Sequence, residues 1–120
     1  MKVLIIEDSL DFRNKLKGML EDDYEIDTAV DGLEGLQKIK DQKYDLIITD
    51  LNMPNLDGLS MLKKVKELDL GYECPPIMMC TTEFDPILKK EGKSAGVSFW
   101  LVKPISENKF IKVVDSLLES

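Results

Sequence analysis

The sequence predicts a doubly wound α/β domain, a five-stranded parallel sheet with helices on both faces. Three observations predict it. Short, continuously apolar runs recur along the chain, the pattern of strands buried on both sides. Helical periodicities lie between them, and the two alternate strictly, which requires right-handed crossovers and parallel pairing. With 120 residues, 43% of them hydrophobic, the chain suffices for one compact domain and is too short for two ordinary ones.

Each element follows in order. Val3-Leu4-Ile5-Ile6 is the first buried strand, and Phe12, Leu16, Met19 and Leu20 mark one face of the helix after it. Tyr24-Glu25-Ile26-Asp27-Thr28-Ala29 alternates polar and apolar, which suits an edge strand. Leu33, Leu36 and Ile39 carry the second helix, Leu46-Ile47-Ile48 the third strand, and Leu59, Leu62 and Val65 the third helix. Residues 71–76 read as a connecting loop rather than a domain boundary. Ile77-Met78-Met79-Cys80 and Phe99-Trp100-Leu101-Val102 repeat the buried-strand pattern. Between them, residues 85–95 form the weakest helix: Gly92 lies inside it, Pro86 fits only its first turn, and its apolar face is Ile87, Leu88 and Ala95. It is expected to be the loosest element. After a capping-type Ser106, residues Phe110, Val113, Val114, Leu117 and Leu118 define the last helix. The expectation is one domain over residues 1–120, with no output module of its own.

Composition narrows the function. Sixteen basic against 23 acidic side chains leave a net charge of −7, so direct binding to nucleic acid or a membrane surface is not expected. The chain has no His, which removes imidazole as general base, zinc ligand and phosphate carrier. Any phosphohistidine must belong to a partner. Cys74 and Cys80 lack metal-site or redox spacing and follow no secretory signal, which suits a cytoplasmic protein. Met78, Met79 and Cys80 read as core packing, and the Lys63-Lys64 and Lys89-Lys90 pairs as solvated faces. Phe84 is the better candidate for partner contact.

In an open parallel sheet the strands finish at one edge, and ligands bind there. The first strand ends in Glu7-Asp8, the third in Asp50, the fourth in Thr81-Thr82 and the fifth in Lys103-Pro104. Three converging carboxylates repel unless a cation compensates, and an oxygen-only donor set selects Mg²⁺ or a similarly hard ion. A carboxylate can also attack phosphorus, with a metal, a lysine and a hydroxyl neutralising the transferred group. On this reading Asp50 is the nucleophile, Asp8 and Glu7 serve the metal, and Lys103 and Thr81 serve phosphoryl oxygens. Blander readings exist: Glu7-Asp8 as a helix cap and acidic first turn, Asp50 as a strand-end cap, Thr81 and Thr82 alike as strand formers.

Together, Ile6-Glu7-Asp8-Ser9, Asp50-Leu51-Asn52-Met53-Pro54-Asn55-Leu56-Asp57-Gly58, Cys80-Thr81-Thr82 and Val102-Lys103-Pro104 resemble a response-regulator receiver domain of the CheY-like, single-domain kind. The resemblance covers essentially the whole chain. It implies the flavodoxin-like strand order 2-1-3-4-5, a topology for which CheY is itself a standard example. It also implies that Asp50 accepts a phosphoryl group from a sensor histidine kinase, with Mg²⁺ held by Asp8, Asp50 and the backbone carbonyl of Asn52, and with Glu7 acting through water. Lys103 would contact the phosphoryl group. Thr81 would swing towards it and let Trp100 turn inward, and the fourth helix, fifth strand and fifth helix would form the output face. Trp100 departs from the Tyr, Phe or His more usual there, so inward rotation needs more room. Asn52 and Glu83 are the variable positions implied to set the lifetime of the phosphorylated state.

The leading function is therefore a phosphoacceptor switch that catalyses only its own phosphorylation and dephosphorylation. As a monomer it would dock on a downstream protein, such as a flagellar-motor or other chemotaxis protein. Alternatives are a phosphorelay intermediate, a constitutive interaction module and, last, a small Mg²⁺-dependent phosphatase.

Overall fold

The computed structural model describes residues 1–119. The chain runs β1 (Lys2–Ile6), α1 (Leu10–Leu20), β2 (Glu25–Ala29), α2 (Gly32–Asp41), β3 (Leu46–Thr49), α3 (Gly58–Glu67), β4 (Ile77–Thr81), α4 (Pro86–Ser94), β5 (Phe99–Val102) and α5 (Glu107–Leu118). All strand pairs are parallel, in the order β2-β1-β3-β4-β5. The expected fold class and strand order are both present. From β1 the sheet grows one way to β2 and the other way to β3, so the order reverses at the β1/β3 boundary, where a crevice opens above the strand ends.

The pleat divides the core into two layers. Val3 and Ile5 of β1, with Ile48 and Met78, pack against Leu16 of α1 and Phe110 and Val114 of α5. Leu4 and Ile6, with Ile47 and Met79, pack on the other side against Ile39 of α2 and Leu62 and Val65 of α3. Each described helix opens on a side-chain cap: Ser9, Asp31, Asp57, Asp85 and Ser106 each accept from a first-turn backbone N–H. Such a cap contributes about 1 kcal/mol.

The sheet sends the helices where periodicity alone could not. Leu33, read on the inner face of α2, is 54% exposed, because that helix seats Gly32, Gly35 and Ile39 instead. Ile87, read on the inner face of α4, is 69% exposed, and α4 buries only Gly92. β5 reads as a strand buried on both faces, yet only Leu101 of its four residues is buried, because β5 forms the far edge of the sheet.

Candidate functional site

Backbone pairing carries the site residues past the strand ends. The Glu7 N–H donates to the Ala29 carbonyl at 3.0 Å, Asp50 N–H to Ile6 at 3.0 Å and Lys103 N–H to Thr81 at 2.8 Å. Each position is thereby held to the neighbouring strand as though the ladder ran one residue further. After Asp50 the chain turns back sharply. The Gly58 N–H donates to the Leu51 carbonyl at 2.8 Å, and a Cβ at Gly58 would stand 2.2 Å from the Asp50 carbonyl oxygen. Only glycine fits there, and Asp57 beside it caps α3.

The acids converge as expected. Glu7, Asp8 and Asp50 each offer a carboxylate oxygen, all within 4.8 Å of one another. Lys103 enters from the other side: its Nζ lies 2.7 Å from Glu7 Oε1 and 3.0 Å from Asp50 Oδ2. Glu7 is 1% exposed and Asp50 9%.

Burial raises the Glu7 pKa above its ordinary value, and the Lys103 hydrogen bond and the Ser9 N–H only partly offset this. For Lys103, burial acts to lower the pKa, but hydrogen bonds and charge from Glu7 and Asp50 outweigh it and the net shift is upward. The amine is therefore a fixed cation at neutral pH. One amine does not balance three carboxylates, and the donors facing it are all oxygens, a set that fits Mg²⁺ rather than a thiophilic ion.

Thr81 is fully buried, and its Oγ1 accepts the Glu83 N–H at 3.3 Å, whereas Thr82 is exposed. Glu83 is the link between the remaining candidates. Its carboxylate accepts from Asn52 Nδ2 at 3.1 Å, and its carbonyl accepts from Trp100 Nε1 at 2.8 Å. Cys80 is buried, and burial pushes its thiol up to about 12, so it is core packing and no nucleophile.

Sequence reasoning missed three contributors, all from the start of α1. The Ser9 N–H donates to Glu7 Oε2 at 3.1 Å, Arg13 Nη1 donates to the Glu7 carbonyl at 2.8 Å, and the Phe12 ring centroid lies 4.1 Å from Lys103 Nζ. Phe12 was legible as a core position on α1. Nothing local shows that its ring also faces the ammonium of a residue 91 positions later in the numbering.

The sequence matches the response regulator receiver domain over residues 3–115. The chain belongs to that family. Receiver domains are the phosphoaccepting partners of sensor histidine kinases in two-component signalling. By structure, this receiver domain is similar to the chemotaxis protein CheY4 of Vibrio cholerae, with a TM-score of 0.89, 40% identity and 98% of each chain covered. In sequence it is 31% identical to chemotaxis protein CheY of Halobacterium salinarum over 118 residues, 98% of this chain and 96% of that protein. A 107-residue match, 40% identical, reaches the protein-glutamate methylesterase/protein-glutamine glutaminase 1 of Methanospirillum hungatei. It takes in 87% of this receiver domain and 31% of that protein, so the chain spans about a third of that relative's length.

Proposed function

We propose that this receiver domain is a phosphoacceptor switch in which Asp50 takes a phosphoryl group from the phosphohistidine of a partner kinase. A carboxylate oxygen of Asp50 forms the new bond to phosphorus as the phosphorus–nitrogen bond to the partner's imidazole breaks, and the imidazole leaves as the neutral base after protonation from solvent. The observation that carries this reading is the placement of Lys103 Nζ between Glu7 and Asp50. An ammonium already within 3.0 Å of the attacking carboxylate is positioned to meet negative charge on the arriving phosphoryl oxygens.

The side chains of Glu7, Asp8 and Asp50 and the backbone carbonyl of Asn52 would hold Mg²⁺. The bound ion would supply further positive charge at the phosphoryl oxygens. Thr81 is the hydroxyl that leaves the Glu83 N–H to meet the phosphoryl group. Because Glu83 also holds the Trp100 indole, that exchange loosens Trp100 and alters the α4, β5 and α5 face offered to a downstream protein. Asn52 and Glu83, bonded to one another at the rim, set how readily water reaches the phosphorylated Asp50.

Likeness along nearly the full length to two chemotaxis proteins supports a place in chemotaxis, in the cytoplasm, with a flagellar-motor or other chemotaxis protein downstream. Among the described residues no helix is long and apolar enough to cross a membrane. The test is Trp100 fluorescence during titration with Mg²⁺ and then beryllofluoride. A saturable change that requires Mg²⁺ and is lost in Asp50→Asn is expected; binding of neither ion at the acidic site would overturn the proposal in favour of a constitutive interaction module.

A further inference from the structure

The charge of this chain is unevenly spread. α3 and α4 together hold six lysines, Lys63, Lys64, Lys66, Lys89, Lys90 and Lys93, against two acids, Glu67 and Glu91. With the whole chain at −7, the excess acid is carried entirely by the remaining residues. As sequence, the lysine pairs read as ordinary solvated faces. In the structure three of these lysines turn to one groove.

That groove, about 710 Å³, runs between α3 and α4 and is lined by Lys63, Lys66 and Lys90 together with Ile87 and Ala95. Glu67 and Glu91 also reach it and leave the lysines in excess. Lys66 Nζ donates to the Ser94 carbonyl at 2.8 Å, which ties the last turn of α4 to α3 and sets the width of the groove at that end. Lys63 and Lys90 belong to none of the ion pairs among the described residues. Ile87, on the α4 wall of the groove, is 69% exposed. Among the described residues it is the one large apolar side chain exposed beside the lysines of the groove.

We propose that the α3–α4 groove docks an acidic amphipathic helix of a partner protein, with its carboxylates on Lys63, Lys66 and Lys90 and its apolar face on Ile87 and Ala95. An open groove walled by two helices, with more apolar than polar lining, suits a helix laid along it. An extended nucleic acid or an anionic bilayer would lie across the acidic remainder of the chain as well and be repelled there, whereas a short helix confined to the groove meets the lysines first. This face differs from the α4, β5 and α5 face that the family resemblance assigns to output. It stands independently of the phosphoacceptor reading.

The test is an amide NMR titration of the full chain with a short synthetic helix bearing Glu on one face and Leu on the other. Saturable shifts confined to α3 and α4 are expected, with a Kd that rises with added NaCl. Lys63→Glu combined with Lys90→Glu replaces two exposed side chains, so circular dichroism should be unchanged while binding weakens about tenfold or more. Ile87→Ala should weaken binding without altering its salt dependence. Shifts centred on another face, no saturation, or an unchanged Kd in the double variant would overturn the proposal. So would tighter binding of a single-stranded oligonucleotide or of phosphatidylserine vesicles than of the peptide.

Discussion

The indole of Trp100 occupies the space where a side chain on Gly92 would stand: a Cβ placed there meets Trp100 Cζ3 at 2.8 Å. Gly92 is therefore no mere weakness in α4. It is the notch that lets the edge strand β5 lay its largest side chain against that helix, while the indole N–H reaches the Glu83 carbonyl.

In an open helix, Gly→Ala stabilises by up to about 1 kcal/mol through propensity alone. Here Gly92→Ala is expected to destabilise by about 1–3 kcal/mol, because the methyl forces the ring or the helix to move. Urea unfolding measures the loss. Adding Trp100→Leu to Gly92→Ala should recover part of it, since the clash is with the indole.

Removing Lys103 leaves Glu7 and Asp50 facing one another with no cation between them. Lys103→Met should cost about 2 kcal/mol in the metal-free protein, the price of an uncompensated buried carboxylate. Denaturant midpoints with and without MgCl₂ check this: the loss should shrink when Mg²⁺ is present. A loss of equal size at every Mg²⁺ concentration would mean that the three acids do not share an ion.

Burial holds the Glu7 pKa above its ordinary 4.5, so in the pH range just above 4.5 the folded chain binds more proton at this group than the unfolded chain does. Stability from this group therefore falls as pH rises from 4.5 towards the native value of Glu7. Lys103 has the opposite profile at the other end of the scale. Its contribution is complete below its ordinary 10.5 and is lost as pH climbs through its raised native value. In metal-free protein, the stability difference between wild type and Glu7→Gln should decline with pH across the acid window. A difference independent of pH there would contradict the raised Glu7 value.

Phe12 lies against Lys103 at 4.1 Å from ring centroid to Nζ. Phe12→Leu keeps much of the apolar bulk and removes the cation–π attraction, worth about 0.5–2 kcal/mol depending on how dry the contact is. Beyond the small stability change, the phosphorylation rate with acetyl phosphate is expected to fall, while Mg²⁺ affinity holds, because only the lysine loses its support. Unchanged kinetics would make Phe12 a packing residue alone.

The two thiols should separate cleanly. Cys80 is buried with its pKa pushed up to about 12, and Cys74 is exposed. A disulfide-exchange reagent is expected to modify Cys74 alone in the native protein and both thiols once denaturant is added. Reaction of Cys80 in the folded state would show that β4 opens locally.

Much of this molecule was legible along the chain. Val3-Leu4-Ile5-Ile6 and its counterparts announce buried strands because a run without polar alternation has no solvent face to offer. Glu7-Asp8, Asp50 and Lys103 announce a site because parallel strands end together. Family resemblance then gave strand order, through the four motifs in sequence. What the chain could not disclose was which neighbour each face would meet. Glu7 and Lys103 are 96 residues apart and bond at 2.7 Å. Periodicity places Ile87 and Leu33 on apolar faces, but the sheet offers those helices only limited area, and the approach is made through Gly92 in α4 and through Gly32, Gly35 and Ile39 in α2. The partner of Trp100, the ring beside Lys103 and the gathering of lysines between α3 and α4 arise in the same way. Local sequence determines which surface an element can bury, and only the packing of the described elements against one another decides what each surface touches.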